Sequence, residues 1–104
     1  MSNAKYISGR SLEYKVVNWF KEMGALHANR TAGSHGPFDV VGSFSWGTAY
    51  AQCKRGGGPT AKDWEAIRLF AKFCPTPICM VHAPKRGEWT ITWVNPAPAG
   101  GVKA

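Results

Sequence analysis

The fold of this chain is decided by the stretch FDVVGSFSWGTAYAQCK, residues 38–54. Two runs rich in apolar residues, 38–44 and 48–54, flank the turn sequence Ser45-Trp46-Gly47. Strand-forming runs joined by a short glycine-containing turn are typical of a β-hairpin. The stretch therefore predicts two antiparallel neighbouring strands.

The predicted hairpin brings an acid, an amide and a lysine together. Asp39 lies at the start of the first strand, and Gln52 and Lys54 close the second. Because side chains alternate across a strand, Gln52 and Lys54 project from the same face, which the turn places beside Asp39. Oxygen ligands bind Mg²⁺, and an ammonium group supplies positive charge to phosphate oxygens. We therefore predict a site for a divalent cation next to a phosphate.

Composition limits the class of protein. The chain has 104 residues, 44% of them hydrophobic, which is enough for one domain with a modest core. Thirteen Lys and Arg against six acids give a net charge of +7, so a polyanionic partner, foremost nucleic acid, is expected. A merely basic protein is the alternative. Apolar runs stay well short of the roughly 20 residues that span a bilayer, so we expect no membrane association.

The cysteines indicate a reducing compartment. There are three, an odd number, and no secretory signal precedes them, so we expect free thiols in a cytoplasmic protein. The spacing of Cys74, Cys79 and His82 raises the alternative of a zinc site, although a fourth ligand is lacking. Thiols buried in the core are the better interpretation.

Periodicity and turn signals predict seven elements in the order α-β-β-β-α-β-β. The predicted helices cover residues 8 or 9 to 23 and 60–73, and the predicted strands cover 25–30, 38–44, 48–54, 78–83 and 88–94. We expect a disordered N-terminal segment at 1–7, one domain at 8–95 and an irregular tail at 96–104. Thr60 and Asp63 have the spacing of a capping box at the start of the second helix.

Three segments together carry a family resemblance. They are Gly9-Arg10-Ser11-Leu12-Glu13, Arg30-Thr31-Ala32-Gly33-Ser34 and Gln52-Cys53-Lys54. With them, and with Asp39 at the start of a strand, the chain resembles the PD-(D/E)XK nuclease superfamily and, within it, the small archaeal-type Holliday junction resolvases, including viral ones. The resemblance implies an α/β fold of the restriction-endonuclease-like class, with a central mixed sheet of about five strands flanked by helices.

The resemblance also implies the catalytic residues. Glu13, Asp39, Gln52 and Lys54 would be catalytic. Asp39, Gln52 and the backbone carbonyl of Cys53 would hold Mg²⁺, for which Mn²⁺ could substitute, with Glu13 as a further ligand directly or through water. Lys54 would orient or stabilise the attacking water. If Asp39 or Glu13 were only structural, each should instead pair with a nearby Arg or Lys.

Further residues are predicted to contact DNA. The resemblance implies that Arg10, Arg30 and Ser34 handle phosphates near the scissile bond. His35 lies in the loop before Asp39, and Arg55 lies beside a glycine-rich loop that could move to embrace DNA, so we add both to the predicted contacts. For the loop histidine a solvated position without function is the alternative, and for the glycine-rich loop a plain flexible connector.

Two departures from the family pattern bear on activity. Phe38 replaces the usual Pro, which shapes only the turn. Gln52 replaces an acid, which removes one negative charge from the cation site and should weaken cation binding.

The implied function is a Mg²⁺-dependent endonuclease that resolves four-way DNA junctions and leaves 5′-phosphate and 3′-hydroxyl ends. A nuclease for flapped, nicked or foreign duplex DNA is one alternative, and a non-catalytic DNA-binding module is another. A junction has two strands of like polarity to be cut symmetrically, so we expect a homodimer. A stripe of Trp89, Ile91 and Trp93 on the last predicted strand indicates either core or a subunit interface.

Overall fold

The computed structural model describes residues 4–31 and 36–95, with the backbone alone for 4–10. The elements are α1 (Ala4–Glu22), β1 (His27–Arg30), β2 (Val40–Phe44), β3 (Gly47–Arg55), α2 (Ala61–Phe73), β4 (Ile78–Ala83) and β5 (Thr90–Trp93). The predicted order of helices and strands is confirmed. Within the described residues, no helix is long and apolar enough to cross a membrane.

The five strands form one mixed sheet in the order β1-β2-β3-β4-β5. Strands β1, β2 and β3 are antiparallel neighbours, β3 and β4 are parallel, and β4 and β5 are antiparallel. Parallel neighbours need a crossover connection, and α2 supplies it between β3 and β4. The predicted α/β class, a mixed five-stranded sheet flanked by helices, is confirmed.

The helices cover opposite faces of the sheet and define two cores. The α1-side core contains Leu12, Val16, Val17, Phe20, Ala28, Val40, Phe44, Ala49, Ala51, Cys79, Val81 and Ala83. The α2-side core contains Phe38, Ile67, Ile78 and Met80. Along β3 the side chains alternate between these cores, with Ala49 and Ala51 toward α1 and Tyr50 toward α2. By the same alternation Gln52 and Lys54 lie on the α2 side.

Several element boundaries differ from those predicted. Helix α1 begins at Ala4 and so includes residues 4–7, for which the sequence predicts a disordered segment. Strand β2 begins at Val40 rather than at residue 38, because the chain bends at Asp39 and Phe38 packs into the α2-side core. Strands β1 and β5 are shorter than predicted. The predicted tail, 96–104, lies outside the described residues.

The two tryptophans of the Trp89, Ile91 and Trp93 stripe pack against the core. The rings of Trp89 and Trp93 each lie 6.4 Å from that of Trp19 on α1, and both tryptophans pack against the α1-side core. Ile91 remains 36% exposed. Of our two interpretations of this stripe, core is therefore the one that fits Trp89 and Trp93.

Close approach of α1 to the sheet makes Gly42 sensitive to substitution. A Cβ at Gly42 would lie 2.6 Å from Cδ2 of Phe20, a ring fully buried between the helix and β2. We expect Gly42→Ala to lower the free energy of unfolding by about 1–3 kcal/mol, the usual cost of overpacking a core. The control is Gly57→Ala, because a Cβ there meets no heavy atom within 4 Å. Urea unfolding followed by circular dichroism measures both, and equal stabilities would contradict the packing.

Candidate active site

The structure places Asp39 against the end of β3. Its Oδ2 accepts a hydrogen bond of 2.8 Å from the backbone N–H of Cys53, the residue between Gln52 and Lys54. Its own backbone N–H donates to the carbonyl oxygen of Ala51 at 2.9 Å. The carboxylate is therefore fixed beside the segment that the sequence analysis singled out.

Burial and nearby charges act on the Asp39 carboxyl group in opposite directions. Its pKa is raised above the ordinary value, mainly because burial removes water from the charged form, and the negative charge of Glu13 raises it further. The N–H of Cys53 and the positive charges of Lys54 and Arg30 lower the pKa but do not offset these effects. The groups around Asp39 thus compensate its negative charge only in part.

Glu13 approaches the site from α1 as one member of an ion pair. Its Oε1 accepts a hydrogen bond of 2.7 Å from Nε of Arg30 on β1, and both side chains are about a quarter exposed. Pairing with an arginine is what we expect of Glu13 if its role is structural. The charge of Glu13 nevertheless acts on the Asp39 carboxyl group, whose pKa it raises.

Gln52 contributes a buried oxygen that lacks a partner. The residue is 8% exposed, and its Oε1 finds no hydrogen-bond donor in the part of the chain that the structure describes. An unsatisfied buried polar atom costs about 1–3 kcal/mol and needs an explanation. A bound cation would supply the missing interaction, because side-chain amide oxygens are ligands of hard divalent ions.

The groups that could bind Mg²⁺ at this site are oxygen atoms, and only one of them, the Asp39 carboxylate, is charged. Within residues 4–31 and 36–95, no three His, Cys, Asp or Glu side chains form a cluster that could hold a metal. The site instead offers the Asp39 carboxylate, the unpartnered oxygen of Gln52 and the backbone carbonyl of Cys53. Such oxygens suit Mg²⁺ or Mn²⁺ rather than zinc.

Lys54 is held by a residue that the sequence analysis assigned only to helix capping. Its Nζ lies 3.2 Å from Oδ2 of Asp63. The same Oδ2 accepts a 2.8 Å hydrogen bond from the backbone N–H of Thr60, completing the predicted capping box. These contacts, that N–H foremost, lower the pKa of Asp63. A crossover helix starts near the end of the strand before it, and this connection is the signal that could have identified Asp63.

The other predicted DNA contacts differ in what the structure shows. Arg30 is paired with Glu13, and Arg55 is an exposed residue at the end of β3. The side chain of Arg10 lies outside the described residues, as do Ser34 and His35.

The glycine-rich loop beside Arg55 is fastened to β4. Nε2 of His82 lies 2.7 Å from the carbonyl oxygen of Gly56, whose N–H donates to the carbonyl of Ala83 at 2.9 Å. A Cβ at Gly58 would approach the His82 ring to 3.1 Å. These contacts hold the first part of the loop against the sheet.

Two of the three cysteines, Cys53 and Cys79, are kept as neutral thiols by burial. Among the described residues, Cys74, Cys79 and His82 form no cluster that could hold a metal. Burial raises the pKa of Cys79 and of Cys53, and the charge of Asp39 adds to the effect at Cys53. Sγ of Cys74 contacts the Thr76 hydroxyl at 3.6 Å. Cys79 belongs to the α1-side core, as the interpretation of buried thiols predicted.

Comparison with known proteins identifies the fold. No family model and no curated protein matches the sequence. Among solved structures, the chain is similar to the 1.6 Å structure of Hjc from Archaeoglobus fulgidus, a Holliday junction resolvase from an archaeal hyperthermophile. The TM-score is 0.64 at 20% identity, over 84% of this chain and 73% of that one. The chain therefore has the fold of archaeal Hjc, which confirms the fold that the resemblance to the archaeal-type resolvases of the PD-(D/E)XK superfamily predicted.

Proposed function

We propose that this protein is a Mg²⁺-dependent endodeoxyribonuclease that resolves four-way DNA junctions. One observation carries the proposal. On a resolvase fold, the desolvated Asp39 carboxylate is hydrogen-bonded to Cys53 of β3, and the residues on either side of Cys53 are Gln52, with its buried and unpartnered oxygen, and Lys54. A carboxylate, an amide oxygen and an ammonium group are the groups that phosphodiester hydrolysis with a divalent cation requires.

Each residue has a distinct proposed role. Asp39, the Oε1 of Gln52 and the Cys53 carbonyl would hold Mg²⁺ or Mn²⁺, with Glu13 as a further ligand directly or through water. When bound, the cation lowers the pKa of water and polarises the phosphoryl oxygen. Lys54, steadied by Asp63, stabilises negative charge on the phosphate or orients the attacking water.

In this proposal DNA binding depends mainly on basic side chains. We propose that Arg10, Arg30, Ser34, His35 and Arg55 contact phosphates. Phosphate contacts position the DNA without reading its sequence, so recognition rests on branched geometry and weakens steeply with salt.

The substrate is tested by incubating the protein with Mg²⁺ and three labelled DNAs: a mobile four-way junction, a flap and a linear duplex. We expect paired symmetric cuts in the junction that leave 5′-phosphate ends. Cutting of the flap or duplex instead would assign another DNA substrate. Junction binding without cleavage of any DNA would indicate a non-catalytic module, in which the Glu13–Arg30 pair is structural and Gln52 marks a lost site.

We further propose that the protein is a homodimer joined through the outer face of α2. On this face Leu69 is 59% and Phe73 81% exposed. They border a groove of about 460 Å³ whose lining is almost wholly apolar: Pro37, Ala66, Leu69, Phe70, Phe73 and Cys74. Monomers seldom expose large apolar side chains side by side, and a junction with two symmetric strands calls for two identical sites.

The interface predicts a change of oligomeric state. We expect wild-type protein to sediment as a dimer and Phe73→Glu as a folded monomer, because a carboxylate in the contact would have to lose its water. Ile91→Glu is the control, since Ile91 is an exposed apolar residue on β5, away from this face. Analytical ultracentrifugation decides the matter. A Phe73→Glu dimer, or dissociation by Ile91→Glu alone, would place the interface elsewhere.

A further inference from the structure

A second concave surface lies between α1 and the edge strand of the sheet. Residues recurring every three or four positions on α1 form a stripe next to its buried face. With β1 they line a groove of about 340 Å³, which we call the α1–β1 groove: Tyr14, Val17, Asn18, Lys21, Ala28, Asn29 and Arg30. Because β1 pairs only with β2 in the described sheet, the groove runs along the sheet edge.

The α1–β1 groove has a small apolar floor and polar, positively charged walls. Val17 and Ala28 are buried, whereas Lys21 and Arg30 supply two cations. The remaining polar side chains are two amides and the phenol of Tyr14, and among the described residues lining the groove none is acidic. Such a donor-rich, cationic surface matches phosphodiester oxygens.

Tyr14 adds a flat surface to this groove. Its side chain is 53% exposed, and the guanidinium of Arg30 lies 5.2 Å from the centre of its ring. A cation beside an aromatic ring is the combination that binds single strands, in which the phosphate contacts the cation and a sugar or base packs on the ring.

Arg30 connects the groove with the candidate active site. The same side chain lines the groove and donates to Glu13, and its charge acts on Asp39. A phosphate in the groove would therefore compete with Glu13 for the guanidinium. Arg30 is thus the residue that the groove and the Glu13 ion pair have in common.

We propose that the α1–β1 groove binds one DNA strand beside the cleaved phosphate, with phosphates at Arg30 and Lys21 and a sugar or base on Tyr14. The inference rests on the proposed function and names the strand path at that site. It also couples the two places, because a strand phosphate that engages Arg30 frees the Glu13 carboxylate from its ion pair.

The test measures junction binding in EDTA, where cleavage plays no part, by fluorescence anisotropy over a range of salt concentrations. We expect Lys21→Gln to weaken binding several-fold and to reduce the slope of log affinity against log salt by about one, the change for one lost phosphate contact. Lys15→Gln is the matched control, because it makes the same charge change on the same helix outside the groove. Equal slopes for the two variants would overturn the inference.

Glu13→Gln tests the coupling in the same assay. Gln keeps an oxygen that can accept from Arg30 but lacks the negative charge, so it competes less with a phosphate for the guanidinium, and junction binding in EDTA should tighten relative to wild type. Unchanged or weaker binding would show that the pair does not exchange. The groove could instead be a general anion site. If Lys21→Gln weakens competition by inorganic pyrophosphate as strongly as it weakens DNA binding, the groove binds anions in general and the strand assignment is overturned.

Failure of the inference is distinguishable from failure of the proposed nuclease. If wild-type protein cuts junctions with Mg²⁺ but Lys21→Gln binds like Lys15→Gln, the strand path is wrong and the activity stands. If Lys21→Gln lowers the salt slope but no DNA is cut, the groove stands and the activity is wrong.

Discussion

Asp39→Asn should reduce junction cleavage by at least about a hundredfold, the scale of losing one group that stabilises developing charge. Asn keeps an oxygen for the N–H of Cys53 but lacks the negative charge that attracts a cation. Junction affinity in EDTA should remain close to that of wild type, because it depends on the basic side chains. Single-turnover cleavage and anisotropy with the same labelled junction measure the two quantities.

The control for Asp39→Asn is Glu22→Gln, which removes one negative charge at the exposed end of α1. It should cut junctions at the wild-type rate. Cleavage by Asp39→Asn at the wild-type rate would show that Asp39 is not part of the cation site. A loss of junction affinity in both variants would show that the substitutions damage the DNA-binding surface of the protein.

The stability of Asp39→Asn supplies a test that is independent of cleavage. Because the folded state raises the pKa of Asp39, the ionised carboxylate opposes folding at pH values above its titration, and protonation relieves that cost. Asp39→Asn should therefore be more stable than wild type at neutral pH in EDTA. The difference should shrink as the pH falls and Asp39 takes up its proton. Chemical unfolding at several pH values checks the sign.

A substitution at position 52 should raise the stability of the protein while it lowers the cleavage rate. Gln52→Met replaces the buried amide by an apolar side chain of similar length and removes the unpartnered oxygen. We expect the free energy of unfolding to rise by about 1–3 kcal/mol, the cost of an unsatisfied buried polar group. Cleavage should fall at least about a hundredfold. A less stable Gln52→Met would show that the oxygen is satisfied in the folded protein.

Gln52→Glu is the complementary variant. A second carboxylate near Asp39 is buried and repelled when no cation is present, so the melting temperature in EDTA should drop. Added Mg²⁺ should raise it by more than it raises that of wild type, since a ligand that binds only the folded state stabilises it according to its affinity. The cleavage rate should be kept or increased. An equal Mg²⁺ response in the two proteins would place residue 52 outside the cation site.

The features that the sequence predicts well are those encoded by neighbouring residues. The hairpin of β2 and β3 follows from strand-forming runs around a short turn, and the capping box of Thr60 and Asp63 follows from spacing alone. The element order follows from these local signals, whereas the restriction-endonuclease-like fold class was implied by the family resemblance. Asp39 beside the Gln52–Lys54 segment follows from the hairpin register.

The features that the sequence did not predict depend on distant parts of the chain. The contact of Lys54 with Asp63 requires α2 to start over the end of β3, and that of Glu13 with Arg30 requires α1 to lie beside β1. No periodicity encodes either pairing. The bend at Asp39 was also missed, because the apolar run 38–44 continues through it without a break in pattern.

Asp63 makes two contacts through one oxygen, and this restricts which side chains its position tolerates. For helix initiation alone, a Glu at the third position of the capping box serves as well as an Asp. Here the oxygen that caps α2 also anchors the Lys54 ammonium, and one added methylene would displace one of these two contacts. A substitution that is conservative for the helix would thus misplace the Lys54 ammonium group at the C-terminal end of β3. We therefore expect that the residues tolerated at position 63 depend on the presence of a lysine at position 54.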